Sequence, residues 1–182
     1  MGRPPDIRTD RLVLRRWRAE HNALFATMNA DPVVMEHFPS VLTPQESDGL
    51  VAKVERHFER HGFGFWAVEI PNVTPFAGFV GLLVPPFDAP FTPCVEIGWR
   101  FAHAHWGQAY ATEAARAAMA SGFDTLALKE IVSFTSTGNT RSRRVMEQLN
   151  MAHNPADDFD HPMMPAGHPL SRHVLYRRST AA

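Results

Sequence analysis

The residues best placed to do chemistry are the run His105-Trp106-Gly107-Gln108-Ala109-Tyr110-Ala111-Thr112-Glu113-Ala114. It stands where an alternating apolar segment, residues 94–101, gives way to an alanine-rich helical pattern, residues 108–123. A helix that starts there presents unpaired backbone N–H groups and a partial positive charge at its first turn. Such an end holds a phosphate without help from lysine or arginine. Small residues let phosphate oxygens approach the backbone, and Gly107, Ala109 and Ala111 are small. An ordinary tight turn into a packed helix explains the same residues, so the run by itself leaves both readings open.

Other chemistries fare less well. Ten histidines invite a metal. His57 and His61 share a helix face, but no Glu-x-x pattern accompanies them. His161, His168 and His173 are spread over a loop, and no metal is expected. Cys94 has no basic partner beside it, so it is not expected to be a nucleophile. A dinucleotide-dependent oxidoreductase needs Gly-x-Gly-x-x-Gly after a first strand, which the chain lacks.

The bulk composition narrows the setting. At 182 residues and 45% hydrophobic content the chain has enough apolar surface for a buried core. A net charge of -1 gives no global field for nucleic acid or anionic membrane, so neither partner is expected. The lone cysteine suits a reducing compartment. The first residues lack the apolar stretch of a signal peptide, and Met1-Gly2 followed by Asp6 does not fit myristoylation. No window is apolar enough for a membrane span, and a cytoplasmic protein is expected.

The elements that must position the run follow from periodicity. Residues 11–17 alternate like a half-buried strand. A helix is predicted over 20–29, stopped by Asp31-Pro32. Thr43-Pro44-Gln45-Glu46 forms a capping box that opens a second helix, ended by Gly62 and Gly64. Strands are predicted over 65–70 and 76–84, the latter apolar on both sides and therefore central. The strand 94–101 puts Val95, Ile97, Trp99 and Phe101 on one face and Cys94, Glu96, Gly98 and Arg100 on the other. A strand over 130–136, a helix from Asn139 to about Asn150, a long loop over 154–169 and a last strand over 173–177 complete the chain. This order predicts an α+β domain, a mixed and mostly antiparallel sheet flanked by helices, with one parallel pair joined by the alanine-rich helix.

Two longer motifs sharpen the reading. WGQAYATEA after VEIGWRF, followed about thirty residues on by TGNTRSRRVMEQLNM, resembles the acyl-CoA-binding motifs of the GNAT superfamily of N-acetyltransferases, in particular its RimJ/RimL-like branch. The opening RTDRLVLRRW and the late FDHPMMPAGHPLSRHVLYRRS are similar to this group as well. The resemblance implies a GNAT-like fold over a single domain, residues 1–182 with a core of about 7–178. It also implies acetyl-CoA as cofactor. The activity implied is acetyl transfer to a primary amine, on a protein N-terminus or a small molecule, by direct attack in a ternary complex.

Residue roles come with the resemblance. The strand's freed backbone at Ile97, Gly98, Trp99, Arg100 and Phe101 would hold the pantetheine arm. The amides of Trp106, Gly107, Gln108, Ala109, Tyr110, Ala111 and Thr112 would hold the pyrophosphate. One departure is Ala109, which stands where glycine is usual; a positive φ there would be strained. Glu96 is the candidate base, or else a strand glutamate paired with an arginine. Many relatives use a tyrosine as acid where this chain has Met146, which has no proton to give. Ser142 is the replacement donor, or else a helix residue satisfying backbone groups. Asn139 would bond the pantetheine amide or simply cap its helix. Arg143, with Arg141 and Arg144, would meet the 3′-phosphate of coenzyme A or form a solvated face. His37, Phe38 and Trp66 would line the acceptor wall, although Phe38 and Trp66 also suit a core. A second function stays open: an acyl-CoA-binding or sensor module that lost catalysis along with the tyrosine. The oligomeric state, a homodimer included, is not legible.

Overall fold

A computed structural model describes residues 6–165 and 167–180. The reading of Met1 and Gly2 lies outside them. The chain begins with two short strands, β1 (Ile7–Arg8) and β2 (Val13–Arg15). This is shorter than the strand expected over 11–17, because a turn at Thr9 bonds both ways with Leu12 and splits the segment. Two helices follow, α1 (His21–Ala30) and α2 (Pro44–His61). The capping box forms as read: Thr43 Oγ1 accepts from the Glu46 amide at 3.2 Å, and Glu46 Oε2 accepts from the Thr43 amide at 2.8 Å. Gly62 closes α2 at φ 77°, where a side chain would be strained.

Three strands come next: β3 (Phe65–Ile70), β4 (Thr74–Leu83) and β5 (Glu96–Phe101). A turn of 3₁₀ helix, His103–His105, leads into α3 (Tyr110–Asp124). Then β6 (Glu130–Ser136) and α4 (Thr140–Gln148) are formed. The segment read as a long loop carries β7 (Ala152–His153) just before it and β8 (Phe159–Asp160) within it. The last strand, β9 (Arg172–Ser179), is longer at both ends than expected.

Among the described residues the strands form one sheet in the order β1-β2-β3-β4-β5-β6-β9-β7, with β8 also on β9. Every pairing is antiparallel except β5 with β6. That parallel pair is joined through α3, as the order of elements requires. Among the described residues no helix is long and apolar enough to cross a membrane.

The core forms on both sides of β4, which explains why that strand is apolar throughout. Ala77, Val80 and Leu82 share one cluster with Ala114, Ala115 and Ala118 of α3. Phe76 and Phe79 share another with Phe25 and Met28 of α1. Alanines on α3 let its backbone sit close to the sheet, and this fixes the height of the helix N-terminus above the end of β5. Leu82 is fully buried in the first cluster. Leu82→Ala should therefore cost about 2–5 kcal/mol of stability. The check is denaturant unfolding, with a lower midpoint and an unchanged slope.

Candidate functional site

The site begins where two strands part. β5 and β6 share one register pair, Glu96 with Val132, supported by Val132 N–H donating to Val95 O at 2.9 Å. Beyond it Ser133 Oγ donates to Ile97 O at 2.9 Å, a side chain standing where a ladder bond would be. β5 stays paired with β4 from Glu96 through Phe101, so its opposite edge opens. The opening is a cavity of about 890 Å³ that runs from the start of α3 to the α1–α2 side of the sheet.

Most residues singled out from sequence border this cavity; Gln108, Arg143 and Trp66 do not. Gln108 is exposed at the turn, although its amide belongs to the series described next. Arg143 departs because of helical periodicity. It faces outward with Glu147, donating toward Tyr176 Oη at 3.4 Å and Thr137 O at 3.3 Å, while Arg141 and Arg144 take the cavity side. Trp66 departs because of strand alternation. It lies on the core face of β3, edge-on to Phe58 at 5.6 Å, and its neighbour Phe65 is the one that borders the cavity.

The phosphate-binding reading can be tested on the backbone. The first bond of α3 runs from Glu113 N–H to Ala109 O at 3.0 Å. Among the described residues, the amides of Gly107, Gln108, Ala109, Tyr110, Ala111 and Thr112 take no protein acceptor, whereas that of Trp106 leaves the expected series because it closes the 3₁₀ turn onto His103 O at 3.1 Å. Gly107 at φ 77° and Ala109 at φ 61° turn the chain so that these amides cluster at the helix end. Ala109 thus adopts the left-handed conformation in spite of its Cβ. Unpaired amides at a helix N-terminus, beside an open strand edge and a cavity of this size, fit a diphosphate ester with a long amide-bearing arm, which is the form of coenzyme A.

Glu96 sits at the inner end. It makes no hydrogen bond or ion pair among the described residues, which removes the paired-arginine reading. Burial pushes its carboxyl up to about 8. Ser142 lies across the cavity at the start of α4, and its hydroxyl is not used by the protein. Its amide is, because Asn139 Oδ1 accepts from it at 3.1 Å while Asn139 Nδ2 donates to Thr135 Oγ1 at 2.9 Å. Asn139 is thus the cap of α4, and its second amide hydrogen and the other lone pair of Oδ1 are left for a ligand. Met146 is fully buried and brings no proton donor. Cys94 packs against the buried cluster of Val132, Phe159 and Leu175, and burial pushes its thiol up to about 11, so it stays protonated.

His37 and Phe38 form part of the wall on the α1–α2 side. His37 Nδ1 meets Ser136 Oγ at 3.3 Å, and burial lowers the imidazole's pKa. Arg141 stacks over Trp106 at 4.6 Å and pairs with Glu36, linking α4 to the segment after α1. At the other end the wall is aromatic. Phe87 meets His161 at 4.7 Å, and His161 meets His173 at 4.9 Å. Burial pushes His161 down to about 4, with the His173 charge adding to it. This end escaped the sequence reading. Phe87 and His161 sit in segments without periodicity; pairing of β8 with β9 brings in His161, and ring contacts with His161 and Phe134 hold Phe87 there.

Comparison with known proteins gives a consistent result. Residues 11–152 match the family described as Acetyltransferase (GNAT) domain. An uncharacterised Bacillus subtilis protein, YkkB, is 31% identical over 144 residues, 79% of this chain and 83% of that one. The FsC-acetyl coenzyme A-N(2)-transacetylase of Aspergillus fumigatus is 31% identical over 82% of this chain and 66% of its own length. Among solved structures, a GNAT-family acetyltransferase of Bacillus anthracis superposes with TM-score 0.78 at 23% identity, covering 96% and 98% of the two chains. RimL, a ribosomal L7/L12 α-N-protein acetyltransferase in complex with coenzyme A, superposes with TM-score 0.76 at 15% identity over 96% and 98%.

Ala109 supplies a test of the turn. A left-handed alanine carries about 1–2 kcal/mol of strain, and glycine would lose part of the gain to chain entropy. Ala109→Gly should raise stability by about 0.5–1 kcal/mol. A lower midpoint in thermal or denaturant unfolding would count against the described turn.

Proposed function

The chain belongs to the GNAT acetyltransferase family, and from that premise we propose that it moves an acetyl group from acetyl-CoA to a primary amine by direct attack in a ternary complex. The observation that carries this reading is Glu96, a carboxyl without a protein partner, raised by burial to about 8, at the inner end of the cavity that begins at the free amides of α3. When bound, acetyl-CoA supplies the thioester. The unpaired amides of residues 107–112 would hold its diphosphate, and the open edge of β5 would orient its arm.

An amine attacks only as the free base, and amines are wholly or partly protonated near neutrality. Glu96 takes that proton, directly or through one water, and a carboxylate raised to about 8 is close to an α-amino group in basicity. Ser142 Oγ–H, which borders the cavity, would donate a hydrogen bond to the sulfur as charge grows on it. With Met146 in the place of the usual tyrosine, the leaving thiolate takes, through water, the second proton that the attacking nitrogen sheds as the amide forms. The acceptor enters from the α1–α2 side, past His37 and Phe38. We further propose the cytoplasm as the compartment, since the one cysteine is a free thiol held against an apolar cluster and kept protonated, a form suited to reducing conditions.

The second reading, a cofactor-binding module without turnover, draws on the buried Met146. Coenzyme A release measured across a panel of amines separates the two. Tight acetyl-CoA binding with no amine consumed would sink the catalytic reading.

The pH dependence follows with a definite sign. The base must be ionised, so kcat/KM rises with pH and levels off above about 8. Two amines of different basicity should share that limb. Glu96→Gln should remove it and lower kcat by about 10²-fold. In contrast, Ser142→Ala should leave the fold intact and lower kcat while cofactor affinity, read by calorimetry, changes little.

A further inference from the structure

The acceptor side of the cavity contains a cation that the protein does not neutralise. Arg100 lies on the same face of β5 as Glu96 and Gly98, the face covered by α1 and α2. Its Nη1 donates to Asn29 Oδ1 at 2.6 Å. Asn29 Nδ2 donates in turn to Ser47 Oγ at 3.0 Å, and both residues are fully buried. The guanidinium lies 3.9 Å over the ring of Phe38 and 5.4 Å from that of Phe79. Among the described residues no carboxylate pairs with it, and its Nε is buried without an acceptor. Arg15 and Arg16, whose side chains are only 11% and 13% exposed, both pair with carboxylates, whereas Arg100 does not.

A guanidinium taken out of water costs several kcal/mol unless an anion meets it. Two ring faces and one amide oxygen return part of that. The relay Ser47–Asn29–Arg100 crosses three elements and holds the group in one orientation. A planar fork held this way matches a carboxylate. Burial lowers Arg100 only to about 10, so it stays charged at neutral pH.

Glu96 and Arg100 are four residues apart on one strand face, about 13 Å between their Cα atoms. Gly98 lies between them. A Cβ there would come within 3.2 Å of Phe65 and 3.7 Å of Glu96 Oε1, so glycine keeps the space between the two charges clear. The pair offers a carboxylate for an amine and a guanidinium for an anion.

We propose that Arg100 binds a carboxylate of the acceptor, so that the amine acetylated is a small zwitterion, an amino acid or a close relative of one, with its amine turned toward Glu96. This rests on the acetyl-transfer reading above.

The test compares matched amines with and without a carboxylate, such as lysine against 1,5-diaminopentane and β-alanine against ethylamine. Wild-type protein should show kcat/KM higher by about 10²-fold or more for the carboxylate member. In Arg100→Met and Arg100→Lys that ratio should collapse toward one, mainly through KM. Equal rates for both members of each pair in the wild type would overturn the proposal without any variant. A peptide with N-terminal aspartate, blocked at its C-terminus, forms a further arm; its preference over every free amino acid would also overturn the small-molecule assignment. If no amine at all consumes acetyl-CoA, the acetyl-transfer reading fails separately. Melting in the presence of coenzyme A then decides the carboxylate site. The amino acids should raise Tm in the wild type and the decarboxylated amines should not, and equal shifts, or none, would overturn it.

Discussion

The parting of β5 from β6 after the Glu96–Val132 pair is the constraint on which the rest depends. A sheet interior does not leave backbone groups unpaired unless something else meets them. Here the ladder is full on the β4 side of β5 and on the β9 side of β6. The gap is therefore confined to one edge and propped from both sides. Ser133 Oγ bonds Ile97 O at its root and stops it from closing there. The crossover from β5 to β6 has to pass through α3, so the same gap ends at a helix N-terminus. Strand edge and helix end are two consequences of one parallel connection.

Charge is distributed unevenly around that gap. On the surface, arginines and carboxylates pair in the ordinary way, for example Arg11 with Glu113, Arg16 with Glu55, and Arg177 with Glu130 and Asp157. Such pairs add little to stability each. Inside the cavity Glu96 and Arg100 stand without charged partners among the described residues, and burial alone moves each away from its charged form. Groups held at that disadvantage are reactive toward whatever brings the missing countercharge or proton. The imidazoles around them behave differently. Burial lowers His37, His161 and His173 in pKa, so they serve as polar or aromatic wall rather than as charges near neutrality.

The α1–α2 pair does more than cover a face of the sheet. The buried Asn29–Ser47 bond, with Leu42 N–H donating to Asn29 O, fixes the two helices against each other. Asn29 then reaches Arg100, and the segment after α1 reaches α4 through Glu36 and Arg141. Positions of the two cavity walls are thus coupled through polar contacts and not only through the apolar cluster of Trp17, Phe25 and Phe76.

Much of this was legible in the residues themselves. Period-2 and period-3.6 patterns marked the helices and inner strands, because burying one face is what makes those elements stable. The central position of β4 could be read from its double-sided apolar run, and the cap of α2 from four residues. The run at Gly107–Ala109 marked a helix end suited to phosphate, since backbone amides there need no particular side chain. Local spacing could not say which way Arg143 and Trp66 point, because a shift of one residue on a helix or strand changes the face. Nor could it join Phe87 and His161 to the cavity, or Asn29 to Arg100, seventy-one residues apart. Whether Glu96 and Arg100 have partners is also beyond it. A carboxylate or a guanidinium looks the same in sequence whether an opposite charge is folded against it or not, and only tertiary packing decides that here it is not.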